Sequence, residues 1–147
     1  MNTFISHDFN QTEMIGQKLA KKLKKGDVVA LFGGLGMGKT AFVRGLAKGL
    51  SINEDVSSPT FSIVHDYGGN PALIHFDMYR VNTWEDLNTT GFFDYLDLNE
   101  ILAIEWSENI ESALPQNSIC VEISKGESDD DRIIKITGEN IDENFFD

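Results

Sequence analysis

Apolar residues recur along the chain with two different periods. In QTEMIGQKLAKKLKK (11–25) they fall at Met14, Ile15, Leu19, Ala20 and Leu23. That is the three-to-four spacing of one helix face, with lysines in the last turns, where the helix dipole favours cations. Gly26-Asp27 predicts its end. DVVALF (27–32) is nearly all apolar, as in a strand covered on both faces. TAFVRGLAKGL (40–50) is helical again, and FSIVHDYG (61–68) and ALIHFDMY (72–79) read as strands around a Gly-Gly-Asn-Pro turn. NTWEDLNTTGFFDYLD (82–97) predicts one or two short helices, EILAIEW (100–106) a buried strand, and SENIESAL (107–114) a short helix. NSICVEISK (117–125) and DRIIKITG (131–138) alternate as two strands around an acidic loop, and TFISHDF (3–9) is a short opening strand. Helices interleaved with strands predict an α/β fold, and the adjacent late strands predict a mixed sheet.

Composition narrows the class. A chain of 147 residues with 41% hydrophobic content suits one globular domain. It has no repeats and no apolar run of the length a membrane helix needs. Its start, MNTFISHDFNQTE, lacks the basic and apolar regions of a signal peptide, so a cytoplasmic protein without a membrane partner is expected. With 24 acids against 12 bases the net charge is −12, which argues against a free-standing nucleic-acid binder. Any link to RNA is expected to be indirect, through a partner. The acids gather at ESDDD (127–131) and ENIDENFFD (139–147), expected as a solvated hairpin tip and a frayed tail. Phe145 and Phe146 could also dock that tail on a partner's basic, apolar groove. Cys120, in the alternating run SICVEIS, is expected as a small buried hydrophobe.

The chemistry concentrates in GGLGMGKT (33–40), a full match to G-x-x-x-x-G-K-[ST] between a buried strand and a helix. Its glycines allow consecutive N–H groups to converge on phosphate oxygens, and the following helix adds its dipole. Lys39 would reach the β- and γ-phosphates and Thr40 would offer a hydroxyl to Mg²⁺. This predicts a P-loop NTPase-like three-layer α/β fold holding a nucleoside triphosphate. Mg²⁺ wants hard oxygen ligands, and two acids end apolar runs, Asp77 after ALIHF and Glu105 after ILAI. One can hold the metal while the other orients or deprotonates the attacking water; spacing does not assign the roles. SSPTF (57–61) occupies the place of a γ-phosphate-sensing loop, with Ser58 biased to extended geometry by Pro59 and Thr60 able to reach a metal water or phosphate. Arg80 would pair with a nearby acid or contact nucleotide or partner. His65, His75, Asp77 and Glu105 do not read as a metallohydrolase cluster, because no pair has helical ligand spacing.

The glycine loop followed by SPTF (58–61), HFDMYR (75–80) and IEW (104–106), in this order in so short a chain, resembles the TsaE family. These are bacterial ATPases of the tRNA threonylcarbamoyladenosine pathway. Gly34 stands where the family usually has Asp or Asn, and Met37 where it usually has Ala; both are variable positions. The resemblance implies a single P-loop ATPase domain that binds ATP and Mg²⁺ and hydrolyses ATP slowly alone. It implies TsaD-like and TsaB-like partners, whose complex transfers threonylcarbamoyl to the tRNA adenosine next to the anticodon. Residue by residue, it implies that Gly34, Leu35, Gly36, Met37, Gly38, Lys39, Thr40 and Ala41 cradle the nucleotide, with Lys39 on the phosphates. Thr40 and Glu105 would hold Mg²⁺, and Asp77 and Thr60 would serve hydrolysis or its coupling. Trp106 would lie beside the nucleotide, and the segment from Asp8 to Thr12 would approach the adenine. Two other readings share the loop: a nucleotide-dependent binding switch with incidental hydrolysis, and a small-molecule kinase, which usually needs a lid richer in arginine than Arg44, Arg80 and Arg132 provide.

Overall fold

The apolar run DVVALF becomes strand β2 (Val28–Phe32), buried along almost its whole length because other elements cover both of its faces. The computed structural model describes residues 2–57 and 63–147. Thr60 and the rest of the stretch 58–62 therefore lie outside the described residues. The other strands are β1 (Asn2–Ser6), β3 (Val64–Gly69), β4 (Ala72–Asp77), β5 (Ile101–Glu105), β6 (Ile119–Lys125) and β7 (Arg132–Thr137). They form one sheet in the order β1-β7-β6-β2-β5-β4-β3. The four central strands, β6, β2, β5 and β4, run parallel, while β1, β7 and β3 pair antiparallel at the margins. The expected mixed sheet is present.

Side chains alternate across a strand, so each central strand feeds two cores. Val29, Leu31, Leu73, Ile101 and Ala103 pack with Ile15, Leu19, Phe42 and Leu46 of helices α1 (Phe9–Ala20) and α2 (Lys39–Gly49). Val28, Ile74, Phe76, Leu102 and Ile104 pack with Leu87, Phe92 and Ile110. These three belong to α3 (Trp84–Thr89), α4 (Phe92–Asp97) and a 3-10 helix (Ser107–Ala113). The result is three layers. Helices α1 and α2 touch closely at Gly45, where a Cβ would collide with the Glu13 carbonyl. The Glu13 carboxylate is held beside this crossing by Lys48, with Arg44 3.8 Å away.

Three expectations change. The first helix spans Phe9–Ala20 rather than 11–25. It starts early because Asp8 accepts a hydrogen bond from the Gln11 N–H at 2.8 Å, an N-cap. It stops early because the chain tightens after Leu19, with the amides of Lys22 and Leu23 bonding three residues back. The carboxy-terminal residues do not fray: Ile141 is buried, Phe145 and Phe146 pack on the core, and Phe146 meets Phe4 edge-on at 5.2 Å. Cys120 is half-buried rather than buried.

Candidate functional site

The glycine loop turns into α2 at Gly38, whose φ of 107° lies in the left-handed region, open to glycine without steric cost. A Cβ at this position would also press on the Phe9 ring at 3.3 Å. No side chain caps α2 among the described residues, so its first N–H groups face the cleft, available to an acceptor from outside the chain. Arg132, from β7, steadies the outer side of the loop. Its Nε donates to the Met37 carbonyl at 3.0 Å and its Nη2 to the Gly36 carbonyl at 3.3 Å, while Nη1 binds the carbonyls of Asp129 and Asp131. On the other side, the Gly33 N–H donates to Glu108 at 3.2 Å.

Lys39 lies almost wholly buried under this loop. Its ammonium donates to the carbonyls of Gly33 and Gly34 and sits 3.8 Å from the centroid of the Trp106 ring. Burial pushes its pKa below the usual lysine value, against the opposing pull of Glu108, Glu105 and Asp77. Trp106 has a φ of 59°, an uncommon conformation for a bulky residue and one that recurs where a side chain must be aimed.

Asp77 and Glu105 are the last residues of β4 and β5 and pair in register. Both therefore leave the sheet on the same face, towards the start of α2. Thr40 Oγ1 lies 3.2 and 3.1 Å from the two Glu105 carboxylate oxygens and donates to them. The other side of that carboxylate meets His75 Nε2 at 2.5 Å. Asp77 Oδ1 accepts from the Tyr79 N–H at 2.9 Å. The Thr40 hydroxyl and Glu105 carboxylate supply hard oxygens of the kind Mg²⁺ takes. No three His, Cys, Asp or Glu side chains converge as a metal group among the described residues. An ion at this point would thus take few protein ligands and draw the rest from phosphate and water, the usual habit of Mg²⁺.

These groups line a cleft of about 490 Å³, within the size range of small-molecule sites. Leu35, Gly36, Met37, Gly38, Lys39, Thr40 and Ala41 border it together with Asp77, Glu105 and Trp106. Gly34 contributes through its carbonyl to Lys39. Arg80 also reaches the cleft and forms no ion pair among the described residues. Asp8 and Thr12 are not among its borders: Asp8 caps α1, and Thr12 is buried with its hydroxyl 2.8 Å from that of Ser6. Phe9, between them, is the residue that reaches the cleft. Sequence reasoning missed Phe9, Glu108 and Arg132 as parts of the site. The Asp8-x-x-Gln11 capping pattern could have shown that the helix begins at Phe9; no local signal marks Arg132.

The model of the family "Threonylcarbamoyl adenosine biosynthesis protein TsaE" matches residues 6–134. The tRNA threonylcarbamoyladenosine biosynthesis protein TsaE of Treponema pallidum is 36% identical over 119 residues, covering 81% of this chain and 88% of that one. Its namesake in Bacillus subtilis is 38% identical over 128 residues, covering 86% and 79%. The crystal structure of Bacillus subtilis YdiB superposes with a TM-score of 0.79 at 33% identity, covering 93% of this chain and 84% of that one. With the family model spanning most of its length and relatives above 30% identity on most of theirs, the chain belongs to the TsaE family of threonylcarbamoyl adenosine biosynthesis proteins.

Proposed function

We propose that this protein binds ATP with Mg²⁺ in the cleft and hydrolyses it slowly by itself, and that its turnover supports threonylcarbamoyl transfer to tRNA by a complex of TsaD-like and TsaB-like partners. One observation carries the reading: the loop lysine, the Thr40 hydroxyl and the Glu105 carboxylate converge at the start of α2, with Asp77 in register beside them. A net charge of −12 supports an indirect relation to tRNA, and a cytoplasmic location is consistent with it.

In this mechanism Lys39 exchanges the Gly33 and Gly34 carbonyls for phosphate oxygens, and the free N–H groups of Lys39, Thr40 and Ala41 bind the same anion. Thr40 and Glu105 hold Mg²⁺, which when bound neutralises charge on the phosphate oxygens. Asp77 orients the attacking water or accepts its proton. The Trp106 ring lies against Lys39 at the border of the cleft, and Phe9 offers an apolar face on the side expected for the adenine. Supply of an arginine by a partner can raise phosphoryl-transfer rates by about 10³ or more, which accounts for weak turnover alone.

ATP turnover by the isolated protein and by the protein with the transferase complex tests the proposal, alongside formation of threonylcarbamoyl-tRNA. Lys39→Ala is expected to abolish nucleotide binding and tRNA modification together. Equal turnover with and without the complex would overturn the partner-dependent part. A phosphorylated metabolite in place of free phosphate would favour the kinase reading.

A further inference from the structure

The alternation of β4 predicts an apolar residue at position 75, because Leu73 on the same face is fully buried in the core below α2. The chain places His75 there instead, with no exposed surface. Its register partner on β5 is Ala103, a small residue that leaves the imidazole room to extend along the face towards Glu105. Nε2 meets the Glu105 carboxylate at 2.5 Å, and Nδ1 lies 3.0 Å from the hydroxyl of Tyr67, which is also buried. That hydroxyl lies 3.1 Å from the backbone carbonyl of Ser57. The Tyr67 ring is backed by His65, stacked at 4.3 Å.

Burying a polar side chain costs about 1–3 kcal/mol unless its hydrogen bonds are met. Packing alone would be served by a leucine. Here both ring nitrogens are used, and among the described residues no buried side-chain nitrogen or oxygen lacks a partner. The chain of contacts ends on the carboxylate that also receives Thr40. A carboxylate can only accept, so Nε2 carries the hydrogen of this bond, and its direction fixes how the two Glu105 oxygens are turned towards α2.

We propose that His75, backed by Tyr67, is a positioning residue of the nucleotide site: its Nε2–H holds the Glu105 carboxylate in the orientation that faces Thr40. The inference rests on the Mg²⁺–nucleotide reading above. Outer partners of metal-binding side chains typically change metal affinity or activity by about 10–100-fold, so the effect belongs in the dependence on Mg²⁺ rather than in binding of the nucleotide alone.

The test is calorimetric titration of the full-length protein with ADP, in the presence and absence of Mg²⁺, for wild type, His75→Gln, His75→Asn and Tyr67→Phe. The Gln amide can place a donor near the Nε2 position, whereas the shorter Asn reaches only the Nδ1 side. We expect His75→Gln to keep the gain in affinity from Mg²⁺ within about twofold and His75→Asn to lose about tenfold of it. Tyr67→Phe, which removes the hydroxyl that meets both His75 Nδ1 and the Ser57 carbonyl, should lose about fivefold. Binding without Mg²⁺ should stay equal in all four. Melting temperatures of the unliganded proteins identify any purely structural effect, because a role in packing alone would shift melting and leave the gain from Mg²⁺ intact. Equal gains across the variants, or equal losses in His75→Gln and His75→Asn, would overturn the inference while leaving the nucleotide reading standing. A wild-type protein that binds no ADP in either condition would overturn both.

Discussion

Thr40 Oγ1 lies within hydrogen-bond distance of both carboxylate oxygens of Glu105, at 3.2 and 3.1 Å, although 65 residues separate them. Glu105→Gln keeps the volume but removes the negative charge and replaces one of the two hard carboxylate oxygens by an amide nitrogen, which Mg²⁺ does not take as a ligand. We expect at least a tenfold rise, roughly, in the Mg²⁺ concentration that half-saturates turnover. Asp77→Asn should instead lower turnover by about 10²–10⁴ with little change in that concentration. Mg²⁺ titrations of phosphate release read both, and the reverse pattern would exchange the two roles.

Gly45→Ala sets two effects of opposite sign against each other. Alanine improves helix propensity by about 1 kcal/mol. The added methyl, however, meets the Glu13 carbonyl of α1, a backbone atom that cannot rotate away, and such overpacking costs about 1–3 kcal/mol or more. The collision should win, giving a net loss in urea denaturation. A variant as stable as wild type would mean that the two helices can separate freely.

Lys39 predicts a pH dependence. Its pKa is lowered in the folded chain by burial, so the unfolded chain holds more protons between the lowered value and the ordinary value of 10.5. Stability from this group therefore rises with pH across that window, and Lys39→Met should flatten the rise. Nucleotide binding has the opposite sign. Phosphates favour the ammonium form, so affinity should fall as pH climbs through the lowered pKa, with proton uptake on binding. Calorimetry in two buffers of different ionisation enthalpy, repeated as pH is raised towards 10.5, measures that uptake; none at any pH in the series would exclude direct contact between Lys39 and the phosphates.

Arg132 is the least replaceable of the residues that frame the loop. Its fork bridges carbonyls of Gly36 and Met37 to those of Asp129 and Asp131, a span that lysine's single ammonium cannot cover. Arg132→Lys should therefore cost about 2 kcal/mol of stability and weaken ADP binding, as read by thermal melts with and without nucleotide. Unchanged ADP affinity in a destabilised variant would confine Arg132 to fold stability.

The distinction between local and distant pattern explains what could be read from the chain. Asp77 and Glu105 were legible because each is an acid that closes an apolar run. The glycine loop carries its own signature. The seven strands follow from alternation and apolar runs, but their order does not, since nothing in EILAIEW states that it lies between β2 and β4. Arg132 and Met37 meet across 95 residues with no periodic trace, and His75, legible as the first residue of HFDMYR, takes its place beside Glu105 only through the register of β4 on β5. The first helix was displaced because its lysine-rich end has helical propensity, while the turn after Leu19 follows from tertiary packing of Leu23 on the core.

Strand β2 is fourth in a sheet of seven, with β6 on one side and β5 on the other. Its amides are shielded by neighbours in every direction, so their exchange with solvent deuterium should require opening of the whole domain. The margins can open separately: β3 and β1 each have a single neighbour and can detach at lower free energy. The glycine loop is thus mounted on the slowest-exchanging part of the molecule, whereas Tyr67, on β3, belongs to one of the quickest. Loosening at that edge would alter the surroundings of Glu105 while the loop itself kept its shape.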